Sequence, residues 1–266
     1  MDARRIPLKP YRLYREAPFR SVLVHGGPGA LGELAPVAKT LSENTGTIEA
    51  QIAADSVEGQ INEVSACLDR AEDGKTLLFG HSWGAWLSIL SAAKHPEKVH
   101  TLVLCGCPPF RKEDARDIME TRLSRLKPSD RKRLENLLPG FEKAGKAEFN
   151  ELAKILAKAD TADGLPGFDT NADTDFRPDI YRAVWPQAEA FRREGKLLDA
   201  LDALDCRVIL IHGDFDPHPF EATDDILRSR IRDYRAVLLL DCGHRPWVER
   251  AAREKFFRVL RGLITN

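Results

Sequence analysis

Ser82 lies in the stretch LLFGHSWGAWLS (77–88), where glycines at 80 and 84 flank it and apolar sequence stands on both sides. This spacing predicts a buried strand that ends near Gly80 and a helix that begins by Trp83. A serine at such a junction sits in a strained backbone conformation, which pushes its hydroxyl out over the carboxyl end of the sheet. The two glycines let the strand and the helix approach closely. Ser82 is therefore the candidate nucleophile.

The stretch HGGPG (25–29) follows the first strong apolar run and has almost no side chains. Its backbone can lie close to a ligand and donate N–H groups to a carbonyl oxygen that gains charge, which is the chemistry of an oxyanion hole. We expect the N–H groups of Gly27 and Trp83 to form this hole, with Gly26 as the alternative to Gly27. His25 and Gly26 are expected to border the substrate. A phosphate-binding loop is disfavoured, because neither G-x-G-x-x-G nor G-x-x-x-x-G-K-[ST] is present.

The stretch VILIHGDFDPHPF (208–220) places two candidate acids after a strand. A carboxylate there could accept a hydrogen bond from a histidine Nδ1–H and fix its tautomer. Asp216 is favoured, because it lies further along a loop that extends beyond the strand. Asp214 remains the alternative, although its position suits a hydrogen bond within the loop itself.

His244 follows the last strong apolar run and is the candidate general base. His81 and His25 are the rivals. His81 is adjacent to the serine and should point away from it, and His25 is better suited to a buried hydrogen-bonding role. Structural roles are expected for the two histidines that flank the acid loop, His212 and His218.

Strand-like apolar runs alternate with helical patterns along most of the chain. Near-continuous apolar runs, as in strands buried on both faces, lie at 21–26, 76–80, 100–106, 207–213 and 235–243, with a weaker one at 46–53. Helical patterns lie between them at 32–44, 57–71, 83–95, 220–231 and 246–263. The alternation predicts an α/β fold with a mostly parallel sheet.

Residues 107–200 interrupt this alternation and are predicted to form a helical cap inserted into a core of residues 1–106 and 201–266. This region carries almost no strand signal. Its prolines are expected to begin or end short helices, at positions 128, 139, 166, 178 and 186. The charged run RLSRLKPSDRKR (122–133) is predicted to be a solvated helix face, with an anion site as the alternative.

Composition excludes several functional classes. The 266 residues are 43% hydrophobic and 30% charged with a net charge of −1, which indicates a globular protein without the field that holds nucleic acid or anionic membranes. The longest apolar runs, such as AVLLL (236–240), are too short to span a bilayer, and no apolar segment follows the basic N-terminal residues as in a secretory signal. No membrane or nucleic-acid partner is therefore expected.

The five cysteines include no C-x-x-C pair, which predicts reduced thiols and a cytoplasmic location. Cys105 and Cys107 lie two residues apart at a strand end, so a redox or metal role is the alternative for them.

The order Ser82, Asp216, His244, each at the end of a predicted strand, resembles the α/β-hydrolase fold. More narrowly, HGGPG, GHSWG and CGHRPWVE resemble proline iminopeptidase and its relatives. The resemblance implies a mostly parallel central sheet flanked by helices, an inserted cap and a Ser82–His244–Asp216 triad without metal or cofactor. It also implies oxyanion contacts from the HGGPG loop and from Trp83.

Two departures from that family limit the resemblance. Iminopeptidases usually carry Gly before the serine, where this chain has His81, and they have a longer N-terminal region. The sheet is therefore expected to have a shortened N-terminal edge, with YRLYRE (11–16) as the remnant.

An aminopeptidase also needs cap carboxylates for the substrate amine, and the candidates are Asp169, Asp173, Asp175, Asp179 and Glu189. The run DTNADTD (169–175) suggests cation binding but lacks the Gly and Glu of a calcium loop, so a turn is favoured.

These motifs together predict a metal-independent serine hydrolase of small-molecule esters, amides or short peptides. The alternatives are a catalytically silent member of the fold that binds a ligand or partner, and a triad redirected to lyase or cofactor-free peroxidase chemistry. The sequence makes no prediction about the natural substrate or the oligomeric state.

Overall fold

Alternate residues of each central strand pack on opposite faces of one sheet. The computed structural model describes residues 10–71, 76–167 and 174–264. Val22 and Val24 belong to one apolar cluster, which includes residues of the helix after the serine, whereas Leu23 belongs to a second cluster with Phe256 of the C-terminal helix. Both faces of the central strands are therefore covered, as the near-continuous apolar runs predict. The run at 235–243 is the exception, because the strand it forms, Tyr234–Leu239, is largely half-buried.

Nine strands are described. In chain order they are β1 Tyr11–Tyr14, β2 Phe19–Val24, β3 Ala30–Leu31, β4 Gly46–Ala50, β5 Thr76–His81, β6 Val99–Cys105, β7 Asp175–Phe176, β8 Arg207–Gly213 and β9 Tyr234–Leu239. Seven of them form one sheet in the order β1-β4-β2-β5-β6-β8-β9. Every pairing in this sheet is parallel except that of β1 with β4. The carboxyl ends of β2, β5, β6, β8 and β9 consequently lie along one edge, which is where the candidate site residues follow their strands.

The described α-helices are α1 Ala35–Leu41, α2 Val57–Leu68, α3 Trp83–Lys94, α4 Ile118–Arg125, α5 Pro128–Leu137, α6 Lys146–Ala159, α7 Pro178–Arg193, α8 Lys196–Asp202, α9 Phe220–Arg230 and α10 Arg253–Ile264. Helices α4 to α8 lie between β6 and β8, in the part of the chain where the cap is predicted. The division into core and cap remains a proposal, and α8 spans the predicted boundary between residues 200 and 201.

The N-terminal edge of the sheet is a short strand. Residues 11–14 of the predicted remnant form β1, which pairs with β4 from Tyr11 opposite Ala50 to Tyr14 opposite Thr47. Tyr14 donates a hydrogen bond of 2.7 Å to the buried Glu49 carboxylate, which attaches this edge strand by its side chain as well as its backbone.

Three predictions of secondary structure are wrong in detail. The last helix does not begin at Pro246, because residues 246–248 form one turn of 3-10 helix and α10 starts at Arg253. The cap contains a strand, the two residues of β7, which pair with β3 beside the HGGPG loop. Pro186 lies inside α7 and does not begin or end it. The β3–β7 pairing is a tertiary contact, and the 3-10 turn and the proline inside α7 are local departures from regular helix. The periodicity of the sequence reports none of them.

Among the described residues, no helix combines the length and the apolar character needed to cross a membrane.

Candidate active site

Ser82 lies at the junction of β5 and α3 in a strained conformation. Its φ of 53° and ψ of −120° are unusual for a residue with a side chain. A Cβ on Gly80 would lie 2.2 Å from the Gly84 carbonyl oxygen, and one on Gly84 would lie 2.2 Å from the Val24 carbonyl oxygen. Both glycines are therefore required by close approach of backbone, as the sequence predicts. This geometry is that of a nucleophile elbow.

Asp216 and His244 form a buried hydrogen-bonded pair. The His244 Nδ1 atom lies 2.7 Å from Asp216 Oδ2, and both residues are buried. Because a carboxylate only accepts hydrogen bonds, Nδ1 carries the proton and the Nε2 lone pair is left as a base. This is the orientation that a triad histidine needs.

Electrostatics favour the ionic form of this pair. Burial alone would raise the pKa of Asp216, but the neighbouring histidines, His244 foremost, outweigh it and hold that pKa well below the usual range. Burial alone would lower the pKa of His244, yet the attraction and hydrogen bond of Asp216 raise it above the ordinary value. The acid therefore stays ionised and stabilises a positive charge on the histidine.

Two consecutive residues at the end of β6 lie beside the serine and the histidine. The Ser82 N–H donates to the Cys105 carbonyl at 2.9 Å, and a Cβ on the next residue, Gly106, would lie 2.8 Å from His244 Nδ1. The ring of His81, adjacent to Ser82, lies 4.6 Å from the His244 ring between centroids. Ser82 therefore lies against Cys105, and the His244 ring lies against the next residue, Gly106.

Replacing Gly106 by alanine is expected to lower kcat for an ester by about 10²-fold, since a displacement of about 1 Å in a reacting group costs that much. The new methyl group would need the space of the His244 ring, and the φ of +54° at Gly106 adds backbone strain. Steady-state kinetics measure the loss. Gly140→Ala is the matched control, because nothing lies within 4 Å of a Cβ there. An unchanged kcat in the Gly106 variant would contradict this placement of His244.

The HGGPG loop borders the serine, and its N–H groups have different partners. A Cβ on Gly26 would lie 3.2 Å from Ser82 Cβ, whereas the Gly26 N–H donates to Glu33 Oε2 at 2.8 Å. No acceptor for the Gly27 N–H is found among the residues that the structure describes. Trp83 is the first residue of α3, and the first N–H groups of a helix have no acceptor within it. The Gly27 and Trp83 N–H groups therefore remain the predicted donors of an oxyanion hole.

Both ring nitrogens of His25 are already occupied. Nδ1 lies 2.8 Å from the Gly26 carbonyl, and Nε2 accepts a hydrogen bond of 3.2 Å from the Ile52 N–H. Burial lowers the pKa of His25, so the ring is neutral, and it holds the loop to Ile52, just after β4. The expected contact of His25 with substrate would have to come from a ring carbon.

His81 points away from the serine toward a part-buried carboxylate, that of Glu33, which sequence reasoning missed. Its Nδ1 lies 3.0 Å from Glu33 Oε2, and its Nε2 lies 3.1 Å from the His244 carbonyl oxygen. Burial raises the pKa of Glu33, but the attraction of His81 outweighs it and lowers that pKa to about 2. Glu33 therefore connects the HGGPG loop, through its bond to Gly26, with the elbow and with the histidine loop.

The acid loop has one residue for each of two tasks. Asp214 is exposed, and its Oδ1 accepts the Cys242 N–H at 3.1 Å, so its hydrogen bond links the acid loop to the histidine loop and is not within the acid loop as predicted. Asp216, in contrast, is surrounded by imidazoles. His218 Nδ1 lies 2.7 Å from its Oδ1, and His212 Nε2 lies 3.7 Å from its Oδ2. His212 Nε2 is closer to the His218 carbonyl oxygen, at 3.0 Å, and donates to it.

The prediction that residues 122–133 form a solvated helix face is wrong for two arginines, whose side chains point into the protein. Arg122 of α4 makes two hydrogen bonds of 2.7 Å to Asp160, and its side chain is only 16% exposed. Arg125 donates to the Phe215 carbonyl, next to the acid, at 2.7 Å. The Asp160 carbonyl accepts the His244 N–H at 2.7 Å. Helix α4 therefore connects the cap to the loops that carry both the acid and the histidine.

A second carboxylate missed at the sequence level holds the histidine loop. The Glu249 side chain is fully buried and accepts N–H groups of Gly243, Ala162 and Asp163 at 2.8, 3.0 and 2.9 Å. It thereby attaches the residue before His244 to the segment after α6. In the sequence, the only indication of a role for Glu249 is its position at the end of the CGHRPWVE stretch.

The described cap carboxylates already have basic partners. Asp175 pairs with Lys146, Asp179 with Arg177 and Glu189 with Arg192. The other two candidates, Asp169 and Asp173, and with them most of the DTNADTD run, lie outside the described residues. Among the predicted amine-binding acids that the structure describes, each is therefore balanced by a neighbouring cation.

Thiol and metal chemistry are not favoured at the site. Burial raises the pKa of Cys105, Cys107 and Cys242, so these thiols are poor nucleophiles and ligands. Asp216, His218 and His244 are close enough together to suggest a cation site. Their contacts of 2.7 Å have hydrogen-bond lengths, however, and account for the cluster without an ion.

The sequence profile of the alpha/beta hydrolase family matches residues 22–256, which include every candidate site residue. The chain belongs to this family. The alpha/beta hydrolase fold predicted from the motif order is thereby confirmed, and the family supports a hydrolase. A comparison with curated proteins finds no match.

Solved alpha/beta hydrolase structures share the fold over almost the whole chain. VinJ superposes with a TM-score of 0.71 at 19% identity, covering 96% of this chain and 94% of its own. An esterase from Exiguobacterium antarcticum gives 0.70 at 17% identity and coverages of 96% and 95%. Proline iminopeptidase from Mycobacterium smegmatis gives 0.67 at 18% identity and coverages of 96% and 93%. At these identities the likeness concerns the fold alone.

Proposed function

We propose that this chain is a serine hydrolase that cleaves carboxylic esters of small molecules through an acyl-enzyme on Ser82. The observation that carries the proposal is the buried hydrogen bond of 2.7 Å between His244 Nδ1 and Asp216, beside a serine held at φ +53°. An oriented base and a strained nucleophile over one sheet edge have their simplest use in acyl transfer.

In the proposed reaction Ser82 Oγ attacks the ester carbonyl carbon while His244 Nε2 takes the hydroxyl proton. Asp216 stabilises the imidazolium, and the Gly27 and Trp83 N–H groups hold the tetrahedral oxyanion. Collapse breaks the bond to the leaving alcohol, which receives the proton from His244. Water, deprotonated by the same imidazole, then attacks the acyl-enzyme and releases the acid.

Esters are preferred over amino-terminal peptides because of the charges in the cap. Recognition of a substrate ammonium needs an uncompensated carboxylate, and the described candidates are each paired with Lys146, Arg177 or Arg192. The inward-facing Arg122 is balanced in the same way by Asp160. A neutral acyl group suits this environment better than a cationic one.

A substrate panel tests the proposal. We expect p-nitrophenyl esters of graded acyl length to be hydrolysed with a kcat/KM at least about 10²-fold above that for amino-acid arylamides, a difference of roughly 3 kcal/mol in transition-state stabilisation. Arylamide turnover that matches or exceeds ester turnover would contradict the ester assignment and favour an aminopeptidase. No turnover of either class would contradict hydrolysis and favour the silent or redirected members of the fold.

The cytoplasmic location and the absence of nucleic-acid and membrane partners remain predictions.

A further inference from the structure

The carboxylate of Asp216 is divided between two imidazoles. Its Oδ2 takes the His244 Nδ1 contact at 2.7 Å, whereas its Oδ1 accepts both the His218 backbone N–H at 3.0 Å and the His218 ring at 2.7 Å. The rings of His218 and His244 lie 4.7 Å apart between centroids, and both are buried. A triad needs only one of these rings, so the second requires an explanation.

We propose that His218 is a positioning residue, which acts on the reaction by fixing the orientation and charge of the acid Asp216. This inference rests on the proposed function. Two donors from one residue prevent the carboxylate from rotating, so Oδ2 stays directed at His244. Without them, the carboxylate could rotate and leave the Nδ1–H of His244 with a poorer acceptor.

The protonation state of His218 fits this role. Its Nδ1 faces a carboxylate oxygen and therefore carries the ring proton. Burial lowers the pKa of His218 to about 4 despite the attraction of Asp216, so the ring is neutral at neutral pH. A neutral donor orients Asp216 without neutralising it, and the full negative charge is kept for the His244 imidazolium.

Several other groups act on these two rings and must be considered in any pH experiment. His218 faces Asp216, His244 and Arg122, and its carbonyl accepts a hydrogen bond from His212. The groups that act on His244 are Asp216, His218, His81, Asp160 and Arg122.

Two substitutions of opposite character separate positioning from packing. His218→Asn keeps a side-chain N–H donor near the position of Nδ1 but fills less space, whereas His218→Phe fills the space without a donor. We expect the Phe variant to lower kcat for a p-nitrophenyl ester by about 10- to 100-fold with KM within about twofold, since it removes a transition-state contribution. The Asn variant should stay within about threefold of the unmodified protein on the same scale.

The pH dependence of kcat/KM should stay unchanged if His218 contributes only packing. Activity requires neutral His244, so kcat/KM rises with pH through the pKa of that ring. Loss of the ring donor lets the Asp216 carboxylate turn away and weakens the contact that raises the pKa of His244, so this limb should move to lower pH by about half to one unit in the Phe variant and stay in place in the Asn variant. His100→Asn, at an exposed histidine, is the control and should change neither quantity.

A larger loss of kcat in the Asn variant than in the Phe variant would show that His218 acts by packing and would overturn the proposal. So would a folded Phe variant with unchanged kcat and an unchanged limb. If the Phe variant does not fold, the comparison of Asn with the unmodified protein and the measurement below decide the matter.

A spectroscopic measurement distinguishes failure of this inference from failure of the proposed function. In ¹⁵N-histidine-labelled full chain, with His218→Asn used to assign the resonance, the His218 ring should be neutral with the proton on Nδ1 from pH 8 to pH 5. A ring that titrates near pH 6.5, or that carries its proton on Nε2, overturns the inference. If the unmodified protein cleaves no ester, the proposed function fails, and the inferred His218–Asp216 contact is judged by this spectrum alone.

Discussion

Ser82→Ala is expected to lower kcat for a p-nitrophenyl ester by about 10⁴- to 10⁶-fold, because removal of the nucleophile of a triad disables the whole unit. The residual rate would come from the oxyanion donors and substrate binding. The fold should be retained, since the Ser82 hydroxyl caps no helix N–H and alanine fits the same strained backbone.

The matched control for this substitution is Ser124→Ala. Ser124 is exposed on α4 and donates only to the Thr121 carbonyl, so its loss should leave kcat within about twofold, as for surface changes in general. Thermal unfolding and steady-state kinetics are measured on both variants. A Ser82 variant that retains more than about 1% of the activity would exclude an acyl-enzyme on this residue, given the losses known for nucleophiles.

Asp216→Asn is expected to lower kcat by about 10⁴-fold, a loss that follows when a triad histidine is held in the wrong tautomer. The orientation of the new amide is determined by His218. Its two N–H groups require an acceptor at the position of Oδ1, so the amide oxygen takes that place. The NH₂ group then faces His244 Nδ1, which must become an acceptor, and the proton moves to Nε2. A histidine protonated there cannot take the serine proton.

Asp214→Asn is the control for the acid assignment, since its carboxylate Oδ1 accepts a backbone N–H that an amide oxygen can also accept. We expect a change in kcat of less than about fivefold, within the range for a preserved hydrogen bond. A larger loss in the Asp214 variant than in the Asp216 variant would reverse the assignment. Equal and small losses in both would exclude this loop as the source of the acid.

Site residues that follow apolar strands could be located from the sequence, because the apolar run that marks each strand is a local pattern. Ser82 and Asp216 follow the buried strands β5 and β8, His244 follows the half-buried edge strand β9, and parallel strands end at one edge of their sheet. The glycines at 80 and 84 report a close backbone contact, which is again local. The elbow and the core strands were therefore predictable without knowledge of any tertiary contact.

The residues that support the site could not be predicted, because their partners are distant in the chain. Glu33 bonds to His81, Arg122 to Asp160 and Glu249 to the segment after α6. A glutamate or arginine with such a partner has the same local pattern as a solvated one. The run at 122–133 shows this directly, since Arg122 turns inward while Arg131 pairs with Glu135 on the surface.

The short strand in the cap was missed for a related reason. Asp175 and Phe176 form a strand only because Ala30 and Leu31 lie beside them, and two residues carry no period of their own. The same pairing places Arg177, whose N–H donates to the Gly29 carbonyl at 2.9 Å, against the HGGPG loop. The attachment of the cap to the HGGPG loop thus depends on contacts between residues distant in the sequence.

The most direct test of the central claim is to identify the residue that a fluorophosphonate probe modifies in the folded protein. After trypsin digestion Ser82 falls in one peptide with Ser88 and Ser91, which are fully buried and serve as internal controls. We predict a single adduct, located on Ser82 by fragment masses, that is lost in the Ser82→Ala variant and forms slowly in the Asp216→Asn variant. An adduct on another residue, or none in a chain that still cleaves esters, would contradict the claim that Ser82 is the nucleophile.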